Sequence, residues 1–371
     1  MSGRRYLDDS RAPGTAQGRL APTALLARAY RRALQRQGEL LLDYGDPAGD
    51  VRLREAVAHM LRAVRGMPIT GEDVLITRGS QMALWLLAAV LFEPGDRIGV
   101  EAFGYPPAFQ AFRERGARCV PLPVDDDGVR VDALERALSE GPLRALYLTP
   151  HHQYPTLATL SEPRRQRIRA LAREHRFAII EDDYDHEYHY EGRPVLPMAA
   201  RDARGHVVYV GTLSKVLAPG LRTGYIVARP DLLTHCAALR VQIDRQGDLP
   251  TERALAELLE DGELQRQIRR TRRIYRERRD VLIDLLHERF DGVLDFESPR
   301  GGMALWCDVA RGVDVDRWVE RCAERDVHFM PGRRARFDGR GTSKVRIGFA
   351  RCTPAELDRA THVMRRRLRG C

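Results

Sequence analysis

The stretch Val207–Tyr225, VVYVGTLSKVLAPGLRTGY, decides how the rest of the chain is read. It opens with an apolar, β-branched run that suits a buried strand. The run breaks at Gly211, and a loop punctuated by glycine and proline carries Thr212, Ser214, Lys215, Arg222 and Gly224. A strand therefore delivers a lysine among hydroxyls and an arginine. Lys215 matters because the chain has only two lysines, Lys215 and Lys344, among 61 basic residues. Arginine does not give up its proton, whereas a lysine amine can be desolvated, deprotonated and used as a nucleophile or Schiff base. A lysine in so arginine-biased a chain is a candidate for chemistry that arginine cannot do.

The run GTLSKVLAPGLRTGY resembles the Schiff-base segment of class I/II pyridoxal-phosphate enzymes of the aspartate aminotransferase fold (fold type I), in particular the aminotransferase-like domain of MocR-type regulators. The resemblance implies that Lys215 is the Schiff-base lysine and general acid/base, with Thr212, Ser214 and Arg222 around the phosphate of pyridoxal 5'-phosphate. It extends over nearly the whole chain from about Leu42, and its specificity lies in several motifs in the right order.

Composition bounds the alternatives. A chain of 371 residues with 43% hydrophobic residues can fill one large or two medium cores. No run reaches eighteen apolar residues, and Met1–Leu20 has no apolar signal-like segment, so a cytoplasmic location is expected. The six cysteines are scattered without a C-x-x-C pair, which argues against a zinc site or a disulfide framework. The net charge of +9 raises nucleic acid as a partner. The arginines, however, sit on helical stretches with acidic neighbours, such as EPRRQRIRALAREHR and ELQRQIRRTRRIYRERRD, and a solvated or anion-attracting surface is the expectation.

Met1–Pro22 reads as an extended arm, and Thr23 can cap a helix to Gln37 with Gly38 as its stop. The turn Tyr44-Gly-Asp-Pro-Ala-Gly leads into an amphipathic helix bearing Leu53, Val57, Met60, Leu61 and Val64 on one face. By resemblance, Tyr44 reaches the cofactor phosphate of a second subunit; an ordinary turn tyrosine fits the local sequence equally well. Val74–Thr77 is a buried-type strand followed by Arg78-Gly79-Ser80-Gln81 and an apolar helix. Such a strand–turn–helix start is an anion site, and Gly79, Ser80 and Gln81 are its candidates. No G-x-x-x-x-G-K-[ST] nucleotide loop occurs.

From Arg97, strands (RIGVE, CVPL, ALYL, FAIIE, VVYV) alternate with helices, which predicts a largely parallel α/β sheet covered on both faces. Ligands of such sheets sit beyond the carboxyl ends of the strands. After RIGVE comes Tyr105, at the family position whose ring stacks on the pyridine. After ALYL comes Thr149-Pro-His-His-Gln-Tyr-Pro-Thr, where Tyr154 matches a residue on the hydroxyl side of the cofactor ring. Leu157 stands where the family has a glycine, placing the turn in question, and His151 is an extra histidine. After FAIIE comes Asp182-Asp183-Tyr184-Asp185. Its spacing is not that of a metal loop, and no metal is expected. A buried carboxylate at a strand end can keep a pyridinium protonated. The resemblance gives that role to Asp182, which precedes Lys215 by the family's separation of 33 residues, and binding of the ring oxygen to Tyr184.

Residues 251–290 read as a helix broken near Gly262 that joins a large domain to a small α+β one. The expected division is an arm and helix over 1–40, a cofactor-binding domain over 41–245, and a linking helix with a small domain over 246–371. In KVRIGFA, alternation puts Lys344 and Arg346 on one face and Val345, Ile347 and Phe349 on the other. Arg346 resembles the family arginine that forks a substrate α-carboxylate. The reading is an aminotransferase, a homodimer, interconverting amino and keto acids. Two alternatives stay open: the effector-sensing domain of a MocR-type regulator, for which the forty-odd residues before Tyr44 are too few to hold a winged helix if Met1 is the natural start, and decarboxylase, lyase or racemase chemistry with the same parts.

Overall fold

The computed structural model describes residues 5–6, 18–202 and 205–371. The expected extended arm therefore lies largely outside the described residues. The chain is built on a seven-stranded sheet whose strands run, edge to edge, Val74–Thr77, Gly224–Val227, Val207–Thr212, Ala178–Asp183, Ala145–Leu148, Arg97–Glu101 and Arg118–Leu122. Gly224–Val227, which the loop reading of that stretch missed, is antiparallel to both neighbours. The pairings among the other strands are parallel.

Side chains alternate across these strands and sort into three cores. Leu75, Ile98, Val100, Tyr147, Ile180, Val208, Val210 and Ile226 pack on one face with helices α3 (Gly79–Leu91), α4 (Pro106–Glu114) and α7 (Pro230–Ile243). On the other face Leu146, Leu148, Ile179 and Val207 meet α5 (Val131–Ser139) and α6 (Glu162–His175). Val74, Ile76, Tyr209 and Tyr225 meet α2 (Val51–Arg65) and α8 (Leu249–Glu260). Strands buried on both faces need near-continuous apolar sequence, which VLIT, ALYL and VVYV supply.

The helix ends follow from local chemistry. Asp50 caps α2 by accepting from the Leu53 amide at 3.0 Å and also binds Arg253 at 2.6 Å, tying α2 to α8. Gly66, with φ +62°, ends α2. Thr353 and Glu356 form a capping box on α11 (Pro354–Leu368). Gly38 does not stop α1 (Thr23–Leu41): Gln37 leaves helical geometry (φ −144°, ψ 31°), and the helix then continues to its end. Glycine without a following proline or Schellman contact kinked the helix and did not end it.

Beyond the break at Gly262, α9 (Glu263–Phe290) leads to a four-stranded antiparallel sheet ordered Leu294–Asp295, Ala304–Val309, Lys344–Gly348, Met330–Pro331. Val345, Ile347 and Phe349 are fully buried against α9, α10 (Val315–Ala323) and α11. Two bridges, Phe103 to Arg336 and His189 to Gly301, join this part to loops at the carboxyl edge of the large sheet.

The arginine-rich helices are not uniformly solvated. Arg165 is buried and donates to the carbonyls of Leu160, Pro150 and Leu196. Arg278 and Arg279 are buried on the carbonyls of Ala350 and Pro299. Charge patterning along a helix missed them because their partners are backbone oxygens from distant loops. Among the described residues no helix is long and apolar enough to cross a membrane.

Candidate active site

The carboxyl ends of Val74–Thr77, Ala178–Asp183 and Val207–Thr212 lie side by side, and the register shows how. Gly224 pairs with Thr77 on one side and Thr212 on the other. Its Cα is so close to the start of α3 that a Cβ there would stand 2.7 Å from the Gly79 carbonyl carbon and 2.9 Å from the Ser80 nitrogen. Glycine at 224 thus lets the lysine loop press against a helix N-terminus, where the first amides have no partner within the helix. Arg222, itself in the left-handed region at φ 48°, lays its guanidinium on Gly79 (φ +76°). Thr212 and Ser214 are buried beside them, with the Ser214 amide donating to Thr212 Oγ1 at 3.1 Å. Gly79, Ser80, Thr212, Ser214 and Arg222 therefore surround one corner, with Gln81 next along α3, and its amides, hydroxyls and guanidinium suit a phosphate. Lys215 follows directly, half-buried, its carbonyl accepting from Tyr188 Oη at 2.7 Å.

Strand alternation splits the acidic run. Asp182 shares a face with Ile180 and Tyr147; its Oδ2 accepts from Tyr147 Oη at 2.8 Å, while Oδ1 is buried with no hydrogen-bond partner. Burial is the main cause that pushes this carboxyl up to about 7; the Tyr147 bond opposes it, and the neighbouring Asp183 and Asp185 add to it. Asp183 points the other way, to Tyr209 Oη at 2.7 Å, His186 and Arg65. Against the desolvation that would raise it, His186 and the Arg65 guanidinium hold it well below the usual range. Glu181 accepts from the amides of Met198 and Ala199, and Asp185 faces His152. The four carboxylates do not converge.

The aromatic residues do converge. Tyr105, at the start of α4, meets Tyr154 edge to face at 5.7 Å, and Tyr154 meets Tyr184 at 6.2 Å. Burial raises Tyr105 above its ordinary value, Asp182 adds to the rise, and Arg222 opposes it. Arg346 is 1% exposed on an interior strand of the four-stranded sheet, and its guanidinium lies over the Tyr154 ring at 5.2 Å. It is not the solvent-facing arginine of an edge strand. Leu157 takes φ +68°, so the turn asked of glycine is made by leucine, at a cost of about 1–2 kcal/mol. Its amide donates to the Gln153 carbonyl at 2.7 Å. Tyr44 stands apart, 74% exposed, with Arg245 over its ring at 4.3 Å.

Sequence reasoning missed several supports. Tyr147 lies inside ALYL, where nothing distinguishes it from a packing residue. Buried Glu101, raised to about 7 chiefly by desolvation, accepts from the Thr149 hydroxyl at 2.8 Å. Thr149 in turn holds the Tyr154 amide at 2.9 Å, and Gln153 bonds the Phe103 carbonyl at 2.6 Å. Met330 Sδ meets Tyr154 Oη at 3.4 Å.

Residues 15–364 match the model of the family described as aminotransferase class I and II. Aromatic-amino-acid aminotransferase 1 of Thermococcus litoralis is 34% identical over 316 residues, covering 84% of this chain and 76% of its own. A probable rhizopine catabolism regulatory protein, MocR, of Rhizobium meliloti is 32% identical over 354 residues, covering 95% and 71%. Among solved structures, LysN, an α-aminoadipate aminotransferase of Thermus thermophilus complexed with N-(5'-phosphopyridoxyl)-L-leucine, is similar with a TM-score of 0.89 and 30% identity, covering 97% of this chain and 91% of that one. The fold, the ordered motifs and these similarities place the chain in the aminotransferase class I and II family, as a pyridoxal-phosphate-dependent aminotransferase of amino acids.

Proposed function

We propose that the chain transfers amino groups between α-amino and α-keto acids at the corner where the Lys215 loop, the start of α3 and Asp182 meet. The observation that carries this is the buried, unpartnered Oδ1 of Asp182 beside an anion-suited corner. A buried carboxylate oxygen without a partner is costly, and a cationic ring nitrogen would relieve it. The residues thus fit pyridoxal phosphate: Gly79, Ser80, Gln81, Thr212, Ser214 and Arg222 for its phosphate, Asp182 for its nitrogen, Tyr184 and Tyr154 for its ring oxygen, and Tyr105 for its face. Bound there, the cofactor supplies a carbon that condenses with amines and a ring that takes up the electrons of the substrate Cα.

The protein's own residues do the rest. Lys215 Nζ would hold the cofactor at rest and, once free, would carry the proton taken from Cα. Asp182 keeps a proton on the ring nitrogen. Arg346 forks the α-carboxylate and so orients the Cα–H bond. Exposed Tyr44 supports a homodimer in which each copy completes its neighbour's anion corner. With the expected division at residues 40 and 245, the small domain would be free to move over the site. The six scattered cysteines, with no C-x-x-C pair among them, support a reducing, cytoplasmic setting.

Incubation of the cofactor-loaded protein with single amino acids and 2-oxoglutarate or pyruvate, with the keto acid measured, tests the reading. Catalytic formation of the keto acid from at least one amino acid is expected. The similarity to the MocR protein favours a second reading, effector sensing. An amino acid that shifts the cofactor absorbance while no keto acid accumulates would support it and overturn the first.

A further inference from the structure

A second constellation lies behind the acidic run, and the transamination reading does not use it. His151 and His152 follow Ala145–Leu148, while His186 and His189 follow Ala178–Asp183. Their rings crowd together: His151 is 4.3 Å from both His152 and His186, and His189 is 5.8 Å and 6.0 Å from His151 and His152. One nitrogen from each of His151, His152 and His189 lies within 4.8 Å of the other two, and among the described residues no other such group of potential metal donors occurs.

These nitrogens lack protein partners. Both nitrogens of His151, Nε2 of His152 and Nδ1 of His189 are buried without a hydrogen bond. Several unmet imidazole nitrogens facing one another have no explanation in packing, because aliphatic side chains would fill the same space without that cost. Asp185 Oδ1 sits 2.8 Å from His152 Nδ1. An ionised Asp185 can only accept, so it would take the Nδ1–H of a neutral imidazole and leave the lone pair on Nε2. A carboxylate behind an imidazole in this manner orients metal-binding histidines. Beside Nε2 the wall is Gly301, where a Cβ would stand 2.2 Å away. His186 is turned to Asp183, at 3.0 Å, and covers the outer face of His151.

We propose that His151, His152 and His189 bind a divalent transition-metal ion of the zinc class, with Asp185 orienting His152 from behind. Three neutral imidazoles without a thiolate suit zinc, cobalt, nickel or copper and not calcium or magnesium. A tetrahedral ion with ligands at about 2.0–2.1 Å needs donors about 3.3 Å apart, so shifts of little more than 1 Å close the site and leave the fourth position to water. His189, the partly exposed member, gives the ion its entry. The ion would clasp the loop that carries Tyr154 to the loop that follows Asp182 and Tyr184. No scattered cysteine is needed, which is why the expectation of no metal, drawn from cysteine spacing and the acidic run, did not reach this cluster.

The test is zinc titration of tag-free, chelator-treated, cofactor-loaded protein by calorimetry, with zinc-edge X-ray absorption of the loaded sample. The expected result is saturation at one zinc per chain, with only nitrogen and oxygen ligands at about 2.0–2.1 Å. His151→Ala and His189→Ala should each weaken binding by at least about tenfold, and Asp185→Asn by about 10–100-fold. His362→Ala, on the exposed side of α11, should leave the isotherm unchanged. Absence of a saturable site, an unchanged isotherm in the His151→Ala/His189→Ala double variant, or a sulfur ligand at about 2.3 Å each overturns the proposal. The absorption spectrum of the unmodified protein decides the matter even where a variant fails to fold.

Discussion

Replacing Asp182 by asparagine isolates the strain that the site holds for its cofactor. The carboxyl is 4% exposed, receives one hydrogen bond from Tyr147, and is pushed up to about 7 mainly by burial. In the unfolded chain an aspartate ionises near 3.9. The folded pKa is the higher one, so between about pH 4 and pH 7 the folded, cofactor-free protein binds more protons than the unfolded chain, and stability falls as pH rises through that window. Above pH 7 the full penalty stands. A shift of about three units at 1.36 kcal/mol each gives roughly 4 kcal/mol as an upper figure. Asparagine keeps the shape and can still accept from Tyr147, but it carries no charge to bury. Urea unfolding of the cofactor-free proteins at one concentration should therefore give nearly equal stabilities at pH 4.5. At pH 8 the variant should be more stable by about 2–4 kcal/mol. With pyridoxal phosphate added the order should reverse, because only the carboxylate compensates a cationic ring nitrogen. Parallel pH dependences of the two cofactor-free proteins would refute the claim that Asp182 is a strained carboxyl awaiting a cation.

Other expectations follow from the same geometry. Arg346→Ala should lower kcat/KM for α-amino acids by about 10–150-fold, the worth of a charge-assisted pair at roughly 1.5–3 kcal/mol, and should spare amines that lack a carboxylate. Arg346→Lys should recover only part of the loss, since the fork is gone; equal losses for both substrate types would remove the assignment. Arg65 is buried in ion pairs with Glu187 and with Asp183 at 3.6 Å, and Asp183 carries a strongly lowered pKa. Arg65→Met should cost about 3–5 kcal/mol in urea unfolding, because buried Asp183 and partly buried Glu187 lose their cation. A loss under about 1 kcal/mol, the worth of an exposed pair, would show those carboxylates to be solvated.

What could be read from the sequence was whatever local patterning controls. VVYVGT followed by Ser-Lys, the alternation in KVRIGFA and the apolar run in VLIT each sort side chains by period, and the structure puts Val345 and Ile347 in the core and Arg346 on the opposite face. The division of Asp182 from Asp183 also obeys that period, yet the sequence does not say which face holds Tyr147 and which Tyr209. Those partners come from neighbouring strands, 35 and 26 residues away. Gly224–Val227 was hidden because GYIV is short and follows a loop rich in glycine and proline. Of the histidines only His151 stood out, as an extra one beside the motif, and His186 and His189 gave no signal. Their convergence depends on two separate strand ends meeting, and no spacing along the chain encodes that.

Lys215 carries the central claim, and Lys344 is its natural control. Lys344 lies on the four-stranded sheet, with Nζ 2.6 Å from both oxygens of Asp308. Borohydride reduction of the pyridoxal-phosphate-loaded protein, followed by peptide mass mapping, distinguishes the two. A single phosphopyridoxyl adduct is expected on the peptide containing Lys215, lost in Lys215→Arg together with a fall in kcat of at least about 100-fold. An adduct confined to Lys344, or none at either lysine, would contradict it.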